Sequence, residues 1–132
     1  MNETREAMNE VIALLNKGAS FTSDEVMKLA ERVAKEIVAE KTKFRQYFQQ
    51  IKELARALKS GEMKEERVKV ELYKMKARVA YDTKRPNVRG MDSLKPLIDA
   101  SVDKIMRSSD LKKEIMECSD FFECLVGYHY AK

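Results

Sequence analysis

The sequence predicts an all-α fold, a compact bundle of five to six helices forming one domain over residues 1–132. Three observations predict it. Apolar residues recur at i, i+3, i+4 and i+7 through most of the chain, and no run alternates as a half-buried strand would. Gly and Pro number only four and two, which leaves little material for turns. Charged residues make up 36% of the chain, against roughly a quarter in an average soluble domain. Such a composition suits long helices with one buried stripe and wide solvated faces.

The first helix is predicted from about Glu3 to Lys17, with Met8, Val11, Ile12 and Leu15 on one face and Gly18 as its stop. Thr22-Ser23-Asp24-Glu25 reads as an N-cap with acidic first-turn residues. It opens a second helix carrying Val26, Leu29, Ala30, Val33 and Ile37, with a joint expected near Lys41-Thr42. The third helix has the clearest period: Phe44, Tyr47, Phe48, Ile51, Leu54, Ala55 and Leu58, ended by Ser60-Gly61. A fourth spans about Glu62 to Thr83 on a stripe of Val68, Leu72, Met75 and Val79. The basic loop from Lys84 to Gly90 leads to a fifth, capped by Asp92 or Ser93, with Pro96 tolerable in its first turn. Its inward face is Leu94, Leu97, Ile98, Ser101, Val102 and Ile105. Ser108-Ser109-Asp110 caps the sixth, which carries Leu111, Ile115, Cys118, Phe122, Leu125 and Val126.

No stretch approaches the roughly 20 apolar residues of a membrane span, and the polar, acidic start Met1-Asn2-Glu3-Thr4 is unlike a signal peptide. A cytoplasmic protein without a membrane partner is expected. Cys118 and Cys124, six apart on one helix, point in different directions and are expected as small buried thiols, not a disulfide.

Catalytic equipment is missing. The single histidine, His129, is expected as a surface or core-edge residue, since a triad would need a second shell to hold it. One His and two badly spaced Cys do not make a zinc site. Asp120 and Glu123 share a helix face and could hold a hard cation, but acids on solvated faces are common. There is no glycine-rich phosphate loop. The expectation is no enzyme, no cofactor and no metal.

Charge points instead to an anionic partner. From Lys41 to Arg89 there are 15 Lys and Arg against 6 Asp and Glu, a net of +9, while the remainder nets −5. On a wheel of the fourth helix with Arg78 at zero, Arg67 and Arg85 fall at about −20°, Lys74 at about −40° and Tyr81 at about −60°. The apolar stripe lies at about +60° to +120°. Lys84, Arg85 and Arg89 extend this ridge into the loop, and Tyr81 could stack on a base. The bland reading is a solvated basic face, with Glu71 as partner to Lys74. Lys41, Lys43 and Arg45 open the third helix against its macrodipole, which adds weight to the bland reading of a solvated group; a use that offsets this cost would be an anion site formed with the free backbone N–H groups.

Three stretches carry a family resemblance. They are Thr42-Lys43-Phe44-Arg45; Met75-Lys76-Ala77-Arg78-Val79-Ala80-Tyr81 with Arg85 four residues on; and Asp120-Phe121-Phe122-Glu123-Cys124-Leu125-Val126-Gly127-Tyr128-His129-Tyr130. In order and spacing they resemble the small subunit of type III-A CRISPR effector complexes, the Csm complexes, over about Lys41 to Lys132. Departures are Gly127 where Ala is common, Lys84 where a Gly often precedes the arginine, and no Gly-Gly tail. The resemblance implies a non-catalytic subunit of CRISPR antiviral defence. Its copies would stack along the guide RNA–target RNA duplex beside the other Csm subunits, contacting backbone without reading sequence. The implied contact residues, joined to those of the ridge, are Lys43, Arg45, Lys74, Lys76, Arg78, Tyr81, Lys84 and Arg85. Lys76 falls at about 160° on the wheel, away from Arg78, so which flank of the helix meets RNA stays open. The competing reading is a protein–protein adaptor docking its basic face on an acidic partner. One apolar face per helix leaves no second stripe for an obligate interface, so the free protein is expected as a monomer or weak oligomer.

Overall fold

The structure, a computed structural model, describes residues 5–132. Among them are seven α-helices: α1 (Glu6–Asn16), α2 (Asp24–Met27), α3 (Ala30–Glu36), α4 (Lys41–Ser60), α5 (Glu65–Lys84), α6 (Lys95–Met106) and α7 (Leu111–Ala131). A 3-10 turn, Met91–Ser93, precedes α6, and no strand occurs among the described residues. The all-α class holds; the count of five to six does not. The expected start of the first helix at Glu3 lies outside the described residues.

The extra helix comes from the expected second one. Leu29 N–H reaches back to Val26 O, a tight i→i−3 bond, and the ladder restarts with Val33 N–H to Leu29 O. That break lets Val26 on α2 and Ala30 and Val33 on α3 all reach the core. The joint also falls earlier than expected. Ile37 is already extended, Glu40 is the N-cap, and α4 begins at Lys41. Distant groups satisfy the freed backbone. Lys132 Nζ donates to the carbonyls of Ala34, Lys35 and Ile37 at 3.1, 3.4 and 2.7 Å, and Val38 N–H donates to Ser93 Oγ at 2.9 Å. Ser93 is therefore not the cap of α6; its hydroxyl donates in turn to Gly90 O at 2.6 Å. Gly90 has φ +76°, and a Cβ there would lie 2.4 Å from Val38 O, so only glycine permits this approach.

Helices α4 to α7 form an up-down-up-down square. α4 and α6 each pack against α5 and α7, and the diagonal pairs barely meet. α1 and α3 cover α6 and α7. All seven residues of the α4 stripe are buried. Phe44, Phe121 and Phe122 stack edge to face at 6.2–6.3 Å. Each such burial contributes about 1.5–3 kcal/mol. Asp110 caps α7 through Lys113 N–H at 3.1 Å; at the opposite end of the bundle Glu36 caps α1 from α3, accepting from Ala7 and Met8 N–H at 2.8 Å each. Lys104 and Glu114 lie 3.4 Å apart, in charge contact without a hydrogen bond.

The expectation of one apolar face per helix fails on α5. Besides its buried stripe it exposes Val70, Tyr73 and Tyr81, the two tyrosines each 65% accessible. Cys118 is buried as expected, but Cys124 only partly, and both are free.

Candidate nucleic-acid interface

The start of α4 lies between the ends of α5 and α7, because α4 runs antiparallel to both. That placement divides the sequence-predicted cations into groups.

One group is organised by a residue that the sequence pattern of cations does not reveal. Asp82, 2% exposed, accepts from Tyr47 Oη at 2.8 Å. Its carboxylate lies 3.5 Å from Lys43 Nζ and 3.7 Å from Arg85 Nη1. Arg78 donates to Gln50 Oε1, one turn along α4 from Tyr47. Burial, then the hydrogen bond to Asp82 and its charge, push the Tyr47 phenol far above its ordinary value, while the Arg78 guanidinium acts the other way. Asp82 thus joins α4 to the end of α5 and holds Lys43 and Arg85 on a shared surface. One buried carboxylate pairs with two cations, Lys43 and Arg85, and Arg78 stands beside them on Gln50. Arg85 also lies over the Tyr81 ring, 5.6 Å from its centroid.

On the other shoulder of α4, Arg45 and Lys41 lie over the Tyr130 ring at 5.2 and 4.9 Å, and Lys41 Nζ donates to Tyr130 O at 3.0 Å. Glu40 makes no side-chain cap, so no side chain of its own covers the N-terminus of α4. Lys84 is exposed and makes no ion pair among the described residues. Lys74 stands one turn back on α5, 3.6 Å from Glu71, which also pairs with Arg67. Lys76 points to α6, where Asp103 binds it at 2.8 Å. That hydrogen bond raises the lysine's affinity for its proton. The structure therefore brings together Lys43, Arg78 and Arg85, with Tyr81 beside them and Arg45 on the next shoulder. It does not bring Lys76 to them.

A signal for Asp82 is present in the sequence. Val68, Leu72, Met75 and Val79 continue by one i+3 step to position 82, so a carboxylate sits where the stripe demands burial and must find partners.

His129 is 3% exposed and packs edge-on against Phe44 at 5.0 Å. Burial lowers its proton affinity and the nearby Lys132 and Lys41 charges lower it further, against hydrogen bonds to the backbone of Ile37 and Ala39. It is a core-edge histidine. Among the described residues no group of three or more His, Cys, Asp and Glu could hold a metal ion, and no helix is long and apolar enough to cross a membrane.

A family model described as Csm2 Type III-A matches residues 20–132. The chain belongs to the Csm2 family. It is accordingly a small subunit of a type III-A CRISPR effector complex, the Csm complex, and partners the other subunits of that assembly. Csm2 proteins are a structural, generally non-catalytic family. The match covers all of α2 to α7, and with them the Asp82 cluster and the C-terminal helix that carried the resemblance. Searches of curated proteins and of solved structures give no match.

Proposed function

We propose that this Csm2 subunit binds the backbone of the guide RNA–target RNA duplex inside the Csm complex, without sequence readout and without catalysis of its own. Copies of the chain stand side by side along that RNA, in the cytoplasm. The observation that carries this reading is the Asp82 cluster. Lys43, Arg78 and Arg85 come from two helices onto one surface with a positive surplus, next to the uncapped start of α4 and to Arg45. Phosphates at regular spacing suit such an array, because each neutralised phosphate releases condensed counterions. Lys84 extends the array along the end of α5, while Lys74 and Tyr81 stand at its outer edge, further round α5 from the core stripe than Arg78 and Arg85. Lys76, held by Asp103, belongs to the α5–α6 packing in this reading.

The test is Arg78→Glu combined with Arg85→Gln. Glutamine is chosen at 85 because a second carboxylate beside Asp82 would disturb the fold. RNA affinity should fall alike for unrelated sequences, and the salt slope should flatten by roughly one unit for each phosphate left without its cation. Helicity should be retained. Unchanged affinity and slope would overturn the assignment and favour the adaptor reading, with an acidic protein on this face.

A further inference from the structure

We propose that successive copies of this chain pack the outer face of α5 from one copy, in parallel, against the outer face of α7 from the next. This rests on the reading of side-by-side copies above and says which surfaces meet and in what register.

The two faces match in spacing and in charge. On α5 the solvent side presents Val70, Lys74, Ala77 and Tyr81, at steps of four, three and four. On α7 the solvent side presents Met116, Asp120, Glu123 and Gly127, at the same steps. Set parallel, the rows place Val70 against Met116, Lys74 against Asp120 and Tyr81 against Gly127; Ala77 faces Glu123, whose carboxylate lies one turn from Asp120 and so also within reach of Lys74. Neither Asp120 nor Glu123 has a cation within ion-pair distance among the described residues. Val70 and Met116 are partly exposed, at 43% and 36%.

Gly127 supplies an independent observation. Glycine inside a helix is destabilising by about 1 kcal/mol relative to alanine, yet beyond the neighbouring backbone of α7 nothing lies within 4 Å of where a Cβ on Gly127 would be. Packing within one copy does not explain it; the ring of a neighbour's Tyr81 does. Tyr73, two turns earlier on α5, then falls over a shallow depression of about 370 Å³ on α7, lined by Lys113, Met116, Glu117 and Asp120.

The bundle makes the arrangement repeatable. α5 and α7 are diagonal in the square and run in the same direction, so their outer faces point away on opposite sides. A near-translation brings the α5 face of one copy to the α7 face of the next and leaves both ends open, which gives a row and not a ring. The matched rows span about 16 Å of helix. An interface that short falls below the standard size of roughly 1,600 Å², so it is weak between free copies and strengthens when a shared RNA raises their effective concentration.

The test uses the full chain in a Cys124→Ser background. Tyr81→Cys together with Gly127→Cys should give, on oxidation of concentrated protein and in the assembled Csm complex, a ladder of covalent dimers, trimers and longer species. Either cysteine alone should give none. Separately, Asp120→Lys and Lys74→Asp should each weaken association about tenfold, and the two combined in one chain should restore it. A dimer from Tyr81→Cys alone would overturn the proposal, because it means an isologous α5–α5 pairing. So would the absence of any ladder both in free protein and in complex. Asp120 and Gly127 lie outside the RNA cluster. Intact ladders with unaltered RNA binding by the Arg78 and Arg85 variant would therefore sink the RNA reading and leave this one standing.

Discussion

Replacing Asp82 with alanine tests the organising role assigned to it. The substitution leaves the Tyr47 hydroxyl buried without its 2.8 Å acceptor, which costs about 1–3 kcal/mol. Lys43 and Arg85 are deprived of their partner too, but their side chains are 21% and 37% exposed and recover water, so each adds only about 0–1 kcal/mol. The expected destabilisation is about 1–5 kcal/mol, set against the roughly 5–15 kcal/mol that holds a domain folded. Asp82→Asn keeps an oxygen for Tyr47 and should cost about 1 kcal/mol. Tyr47→Phe in the alanine background removes the stranded hydroxyl, so the double variant should be more stable than the sum of the singles by about 1–2 kcal/mol. Urea denaturation followed by far-UV circular dichroism measures wild type, the two Asp82 variants, Tyr47→Phe and the double variant. An alanine variant within about 0.5 kcal/mol of wild type, or an asparagine variant as damaged as the alanine one, would refute the argument.

Three further outcomes are expected. Gly90→Ala forces a side chain into φ +76° and against Val38 O, and should lower stability by about 2 kcal/mol or more in thermal unfolding. Burial depresses the His129 pKa in the folded state, so the unfolded chain binds more protons; stability should be full above the ordinary histidine pKa of about 6.5 and fall as pH drops through and below it. His129→Gln should flatten that part of the urea-midpoint profile, and an unchanged slope would count against the buried neutral imidazole. Glu36→Gln weakens the cap on α1 and should speed hydrogen exchange at the Ala7 and Met8 amides, with stability lower by about 1 kcal/mol.

What can be read from sequence follows the range of the forces involved. The α4 stripe from Phe44 to Leu58 and the Asp110 cap of α7 rest on residues three or four apart, and both are legible. The extended stretch after Ile37 is not, because its carbonyls and amide are met by Lys132 and Ser93 from the far part of the chain. Ser93 illustrates the trade: a good capping residue by position, it is drawn off by Val38 instead. At the site, composition locates the positive charge on α4 and α5, and the wheel correctly separates Lys76 from Arg78. Asp82 escapes because a ridge is sought among cations, while the residue gathering them continues the apolar stripe. Val70 and Tyr73 escape for the related reason that one good stripe on a helix hides a second.

The bond from Val38 to Ser93 closes a loop of 55 residues that contains α4 and α5 and nothing else of regular structure besides the 3-10 turn. Both halves of the Asp82 cluster lie inside that loop. With Gly90 pressed on Val38 at its neck, the helix pair is cinched before any ligand arrives, and its cations hold their spacing in the unbound protein. Encounter with a polyanion then requires no rearrangement of the backbone. Its association rate should depend on ionic strength through steering alone and show no slow, concentration-independent phase.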